Sequence, residues 1–305
     1  MKTRSLRGGL IAGAAILVGS CGGGGGWGWD IELGYLTVRL ADSAVDDALA
    51  MVVQVEAVDA RVSGANNPQY DFDRFRLQPA EQIDVLQLSD GRSRVLLQDE
   101  IVSADRWDWI RLVIRAGLAA QDSYVETATG RYALFMPEDN NRGLLIRRSF
   151  VVPKDRTLDL TIDFDLRQSV IPPEPPSNLY ILEPVLRFVE TEKAGRIEGA
   201  VEPSLMGPER TPVVYGFSGA DITPDDIDRL APEPVTEGAV RLDEATGDFR
   251  YVLAWLPAGD YTIALTCQGD LDRPDRDDTP ALEFHSIATA VVVAGESTRI
   301  DFQAG

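Results

Sequence analysis

The chain has 305 residues, 44% of them hydrophobic and 26% charged, a globular composition with length for about two domains. Its formal net charge of -20 excludes a nucleic-acid footprint and repels anionic lipid headgroups, while favouring cations and basic partners. Two cysteines cannot staple a fold of this size, and a single histidine excludes a His-rich metal centre.

Residues 1–20 read as a secretory signal: a basic start with Lys2, Arg4 and Arg7, an apolar run, then small residues before Cys21. The run is too short to span a bilayer, which needs about 20 apolar residues. Val18-Gly19-Ser20-Cys21 resembles the bacterial lipobox, although Leu17 stands one place further from the cut than in the commonest version. That resemblance implies that Cys21 is diacylated and becomes the new N-terminus; ordinary signal-peptidase cleavage after Ser20 is the alternative. Processing would remove three cations and no acid, taking the charge from -20 to -23. Residues 21–33 then form a tether, with Gly22 to Gly26 as a flexible leash before Trp27 and Trp29 at the membrane interface. An aspartate after the cysteine commonly retains such lipoproteins in the inner membrane. Gly22 stands there instead, so the analogy points to the outer membrane of the cell envelope, facing the periplasm or the surface.

Residues 34–190 read as a first β-sandwich. Leu36, Val38 and Leu40 alternate, as do Met51, Val53, Val55 and Ala57, and both runs are strands. A polar turn holding Asp42, Asp46 and Asp47 lies between them. Ile83 to Leu88 reads as a short strand, and Trp107 to Arg115 as a long one. Ser123 to Met136 reads as a hairpin turning near Thr129-Gly130. Gly143 to Val152 follows as a neighbour of the most regular stretch, Thr157 to Gln168. There Leu158, Leu160, Ile162, Phe164 and Leu166 form one face, with Asp159, Asp163, Asp165 and Arg167 on the other. A strand this regular needs a second sheet over its apolar face, hence an all-β sandwich. Pro172 to Pro176 must cross an edge or an end, and Tyr180 to Val189 returns to the sheet.

Four motifs occur in order: L-T-V-R-L-A-D-S-A-V-D-D-A, W-I-R-L-V-I, T-I-D-F-D-L-R-Q-S-V and Y-I-L-E-P-V-L-R-F-V. Together they resemble the bacterial lipoprotein family catalogued as domain of unknown function 4382, over about residues 34–190. Where that family often has Ala-Gly-x-Tyr before the second motif, this chain has Ala104-Asp105-Arg106-Trp107. The resemblance implies an exported lipoprotein and supplies no catalytic or ligand residues.

Residues 195–305 read as a second sandwich. Arg196 to Val201 starts afresh, and Thr223-Pro224-Asp225-Asp226 carries the signals of a capped helix start. Phe249, Tyr251, Leu253 and Trp255 share one strand face. Ala281 to Val293 and Ser297 to Phe302 are the last strands. The G-D-F-R-Y-x-L-x-x-L-P-A-G-D-Y-T-I-A-L pattern resembles the transthyretin-like domain attached to carboxypeptidases. That resemblance implies a seven-strand sandwich used as a spacer or binding unit.

Candidate chemistry is sparse. His285 lies on the polar side of a strand, with no G-x-S-x-G elbow to support a triad. Cys267 shares parity with Tyr261, Ile263 and Leu265 and reads as a buried, inert thiol. Asp163 and Asp165, about 7 Å apart on one strand face, could join Asp42, Asp46 or Asp47 around a Ca²⁺. A solvated acidic face is the plainer reading of the same residues. Asp270, Asp272, Asp275, Asp277 and Asp278 do not fit an EF-hand: Asp275 replaces the required Gly and Ala281 the bidentate Glu.

The expectation is a membrane-anchored, non-catalytic binding or adhesion module for an envelope or extracellular ligand, with no cofactor beyond a possible Ca²⁺. The alternatives are an aspartate-dependent hydrolase acting on glycan or peptide, and a structural spacer.

Overall fold

The computed structural model describes residues 31–43, 48–65, 71–137, 143–174, 176–206, 211–278 and 280–304. The signal, Cys21, the tether tryptophans, Asp46 and Asp47 lie outside the described residues. Thr157–Asp165 is the spine of the first sheet: it pairs in parallel with Leu33–Ser43 and antiparallel with Val185–Glu190. Arg94–Ser103 completes that four-stranded sheet beyond Leu33–Ser43. The in-register partners Leu36–Leu158, Val38–Leu160 and Leu40–Ile162 are all buried, as the alternation requires.

A nine-stranded sheet covers this apolar face, built around Ala50–Val62 and Arg106–Arg115. Both sheets feed one core, in which Val53, Val55, Ile110 and Leu112 meet Leu160, Ile162 and Phe164. Trp107 stacks on Phe150 at 6.1 Å, and Phe150 meets Phe188 edge-on at 5.8 Å. The chain is thus all-β, with sheets stacked as sandwiches.

The second half repeats the arrangement with two four-stranded sheets. One orders Arg241–Leu242, Phe249–Pro257, Ala194–Val201 and Ser297–Arg299; the other orders Thr236–Ala239, Val213–Ser218, Gly259–Thr266 and Phe284–Val292. Each half opens on a glycine wedged against a parallel partner segment. A Cβ on Gly34 would lie 2.3 Å from the Pro153 carbonyl oxygen, and one on Gly195 would lie 2.3 Å from that of Val293. Only a missing side chain lets the two backbones close at these points. Glu32–Gly305 forms one compact unit. Among the described residues no helix is long and apolar enough to cross a membrane.

Several local expectations are corrected. The spine strand stops at Asp165 instead of running to Gln168, because the Asp165 carboxylate accepts the Gln168 amide at 3.0 Å and caps a helical turn, Leu166–Ser169. Ile83 to Leu88 is no strand: Asp73–Asp84 is, and Val85–Leu88 is a 3₁₀ turn burying Val85 and Leu88. The short strands Leu144–Ile146 and Phe150–Val151 pair with Arg106–Arg115 in the other sheet and do not neighbour the spine. Residues 223–231 form no helix. Ile227 packs on Tyr215 and Phe217 and donates its amide to Asp272, so tertiary contacts override the local cap signals. A bulge in Phe249–Pro257 buries Leu256 beside Tyr251 and Leu253, and turns Trp255 out of that face.

Candidate functional site

The polar face of the spine strand is not solvated. Asp163 and Asp165 are both buried, because the second half of the chain covers them. The solvated acidic face expected for these residues is therefore overturned. Arginine side chains peg the cover in place. Arg187 binds Asp163 at 2.5 Å and donates to the carbonyl oxygens of Trp255 at 2.6 Å and Ala254 at 3.1 Å. Arg167 donates to the Gly269 carbonyl at 2.6 Å. Gln168 spans from Asp165 at 2.7 Å to the Pro234 carbonyl at 3.0 Å. Trp255 holds its carbonyl toward Arg187 from a left-handed backbone, φ 57°, a conformation costly for a bulky residue.

Inside this joint is a chamber of about 10 Å³ lined by Asp42, Asp163, Glu237, Thr236 and Trp255. Asp42 is 4% exposed and Glu237 2% exposed. Neither oxygen of Asp42, neither oxygen of Glu237, nor Oδ1 of Asp163 has a hydrogen-bond partner. Asp165 stands beside Glu237, and since two ionised carboxylates are both acceptors, the pair hydrogen-bonds only when one of them carries a proton. Burial and then the neighbouring Asp163, Asp165 and Glu237 push Asp42 well above the usual carboxylate range, with only the nearby Leu166 amide, outside good hydrogen-bond geometry, opposing. Burial also pushes Glu237 far up and Asp163 up, the latter against the pull of Arg187. Asp165 is raised by burial too, opposed first by the Gln168 amide.

The joint collects Asp42, Asp163 and Asp165 from the expected calcium candidates. Glu237, Arg187, Arg167 and Trp255 are the participants that sequence reasoning missed. Their one signal is a charged residue among small ones, as at Glu237 in Thr236–Ala239, all four residues of which are buried.

A second acidic group lies in the loops. Carboxylate oxygens of Asp226, Asp272 and Asp278 fall within 4.8 Å of one another, and so do those of Asp226, Asp228 and Asp277. Here the oxygens already have donors. Asp272 accepts the Tyr215 hydroxyl and the Ile227 amide, Asp226 accepts the Asp278 amide at 2.8 Å, and Asp278 accepts the Arg273 amide at 3.2 Å. Burial pushes Asp272 up to about 6, with the Tyr215 hydroxyl and Arg167 opposing.

Wider openings flank the joint. One groove of about 510 Å³ is lined by Phe150, Arg156, Asp159, Glu190 and Lys193, and an adjoining one of about 360 Å³ adds Arg148, Phe188 and Pro257. Arg148 lies 5.1 Å from the Phe188 ring centroid and donates to the Phe188 carbonyl. Cys267 is buried, with its Sγ 3.3 Å from the Leu205 carbonyl, and His285 is exposed on an edge strand, as expected for both.

Fold and joint together define an all-β protein of stacked sandwiches locked by buried charge. Residues 33–184 match the family model described as Domain of unknown function (DUF4382). No curated protein matches. Among solved structures, a leucine-rich repeat protein from Bacteroides thetaiotaomicron is similar at 14% identity and TM-score 0.20, over 90% of this chain and 27% of that one. The Bacillus anthracis TIE protein is similar at 12% identity and TM-score 0.21, over 89% of this chain and 34% of that one. The chain thus spans about a third or less of the length of both. GBS52, the minor pilin of Streptococcus agalactiae, is similar at 7% identity and TM-score 0.20, over 87% and 94% of the two chains. At such scores none of the three bears on function.

Proposed function

We propose that this protein is an exported lipoprotein, anchored through Cys21 to the outer membrane of a bacterial envelope, that binds an envelope or extracellular ligand without catalysis. In this reading residues 34–190 are the family domain and residues 195–305 a transthyretin-like module. The observation that carries it is the groove beside the joint, about 510 Å³ in volume and bounded by Phe150, Arg156 and Lys193. It falls within the roughly 300–1,000 Å³ of ordinary ligand sites, and its lining mixes Phe150 with the cations Arg156 and Lys193 and the acids Asp159, Glu190 and Glu192. The lipobox-like Val18 to Cys21 and the Gly leash support the anchor.

A hydrolase would need paired acids open to substrate. The acids beside Trp255 line a chamber of about 10 Å³, too small for a sugar or a peptide bond, and in the open groove Asp159 and Glu190 are held in ion pairs with Arg39 and Lys193. Binding of the full-length chain to arrayed glycans and envelope polymers tests the reading. We expect retention of an intact ligand, lost in the double variant Arg156→Glu, Lys193→Glu. Release of a cleaved product would establish the hydrolase, and failure of every arrayed class to bind would favour the spacer. For the anchor, mass spectrometry should find a diacylglycerol-modified Cys21 at the N-terminus; an unmodified N-terminus would refute it.

A further inference from the structure

The joint holds more acid than the protein neutralises. Asp42 comes from Leu33–Ser43, Asp163 and Asp165 from the spine strand, and Glu237 from Thr236–Ala239; all four are buried. Two guanidiniums face them, Arg187 from Val185–Glu190 and Arg167 from the turn after the spine, so full ionisation would leave an excess of two negative charges. Arg187 is committed to Asp163 and two carbonyls, and Arg167 to the Gly269 carbonyl. Tyr215 approaches Glu237 from Val213–Ser218 but gives its hydroxyl to Asp272. At the chamber mouth Asp90 does not alter the count, since Arg241 at 3.6 Å and Arg92 at 3.8 Å accompany it. An uncompensated buried ion and a buried acceptor without a donor are both strongly unfavourable.

Protons remove both costs at once. Five oxygens without partners, both of Asp42, both of Glu237 and Oδ1 of Asp163, belong to residues lining one chamber of about 10 Å³, room for no more than a single water. Arg187 already occupies Asp163, and among the described residues the acids whose oxygens gather in threes within 4.8 Å are those of the loop group, so the chamber suits no divalent cation. Glu237 and Asp165 stand within hydrogen-bond reach across the joint, and one proton turns that contact from two acceptors into a donor and an acceptor. A second proton falls to Asp42, whose strongest charged neighbours, Asp163, Asp165 and Glu237, are all acids. Two protons cancel the excess of two negative charges.

We propose that at neutral pH two protons, one shared by Glu237 and Asp165 and one on Asp42, lock the two halves of the molecule together, and that raising the pH withdraws them and loosens the joint. Asp165 belongs to the first half and Glu237 to the second, so the shared proton is a bond between the halves. Unfolded, these carboxyls release their protons near their ordinary values of 3.8 and 4.5; folded, burial holds the protons to higher pH. The stabilisation is therefore complete below those ordinary values and is lost progressively as the pH rises. The lock is independent of the groove and does not rest on the function proposed above.

Chemical denaturation of the full-length chain in detergent, from about pH 5 to about pH 8, tests the lock in wild type, Glu237→Gln and Asp42→Asn. Each amide imitates the protonated acid and has no proton to lose, so each variant forgoes the pH dependence of one group. The wild-type folding constant divided by that of either variant should fall about tenfold per pH unit. Asp248→Asn, on an exposed loop, should give a flat ratio. If a variant fails to fold, the wild-type slope above about pH 7 decides, because Asp272 and Glu233, raised to about 6 and about 7, have by then titrated. A further fall of about tenfold per pH unit is expected there. A flat ratio for either joint variant overturns the proposal, as does a wild-type folding constant that holds steady or rises above about pH 7.

Discussion

Two groups of buried acids in this molecule have been finished in opposite ways. Both oxygens of Asp272 have found donors, the Tyr215 hydroxyl from a strand and the Ile227 amide from a loop, and Asp226 accepts the Asp278 amide. In the joint, Asp42 and Glu237 have found none. The first arrangement is complete without help and ties three loops together. The second depends on protons taken up from solvent. Acid count therefore says little about function; the number of donors left over after folding says more.

Arg187 is the sharpest place to break the contrast. Arg187→Ala strands the Asp163 carboxylate and removes both bonds to the Ala254 and Trp255 carbonyls, so it should cost about 3–5 kcal/mol in chemical denaturation. A loss under about 1 kcal/mol would mean that the joint adds no stability. Next comes Asp272→Ala, which orphans the Tyr215 hydroxyl and the Ile227 amide and should cost about 2–4 kcal/mol. If the variant melts like wild type, the loop group is not the finished network described here.

The two halves of the spine strand show what the sequence can and cannot disclose. Alternation locates its apolar face, because burial of Leu158, Leu160, Ile162 and Phe164 follows from period two. The same alternation says only that Asp163 and Asp165 lie on the other face, and whether that face meets water or a second layer is a tertiary fact. Glu237 joins them from 72 residues further along, in a strand short enough to look like a loop. Trp255 left its expected face through a bulge, whose left-handed residue is the bulky Trp255 and not the glycine that would have announced it. The false helix at Thr223 had sound local signals; the Asp272 carboxylate captured the Ile227 amide that such a helix would have used.

Titration sharpens the comparison with a smaller effect. Asp272 sits at about 6 in the folded protein, against an ordinary carboxyl value near 3.8. Between those limits the folded state holds a proton that the unfolded state has released, so stability should fall as pH rises from about 4 to about 6. Measured as wild type minus Asp272→Asn, the decline should reach about 2 kcal/mol, with Arg167, Tyr215 and Asp278 as the groups facing the carboxyl. A flat difference would show that Asp272 is ionised throughout. The smallest change should come from Asp278→Asn, which can still accept the Arg273 amide and should cost less than about 1 kcal/mol.

The account turns on whether the joint acids are held neutral by protons, and neutron diffraction from crystals grown in heavy water reads this atom by atom. A deuteron between the Asp165 and Glu237 carboxylates would bear out the buried, protonated joint. No deuteron on Asp42 or Glu237 at neutral pH would contradict it.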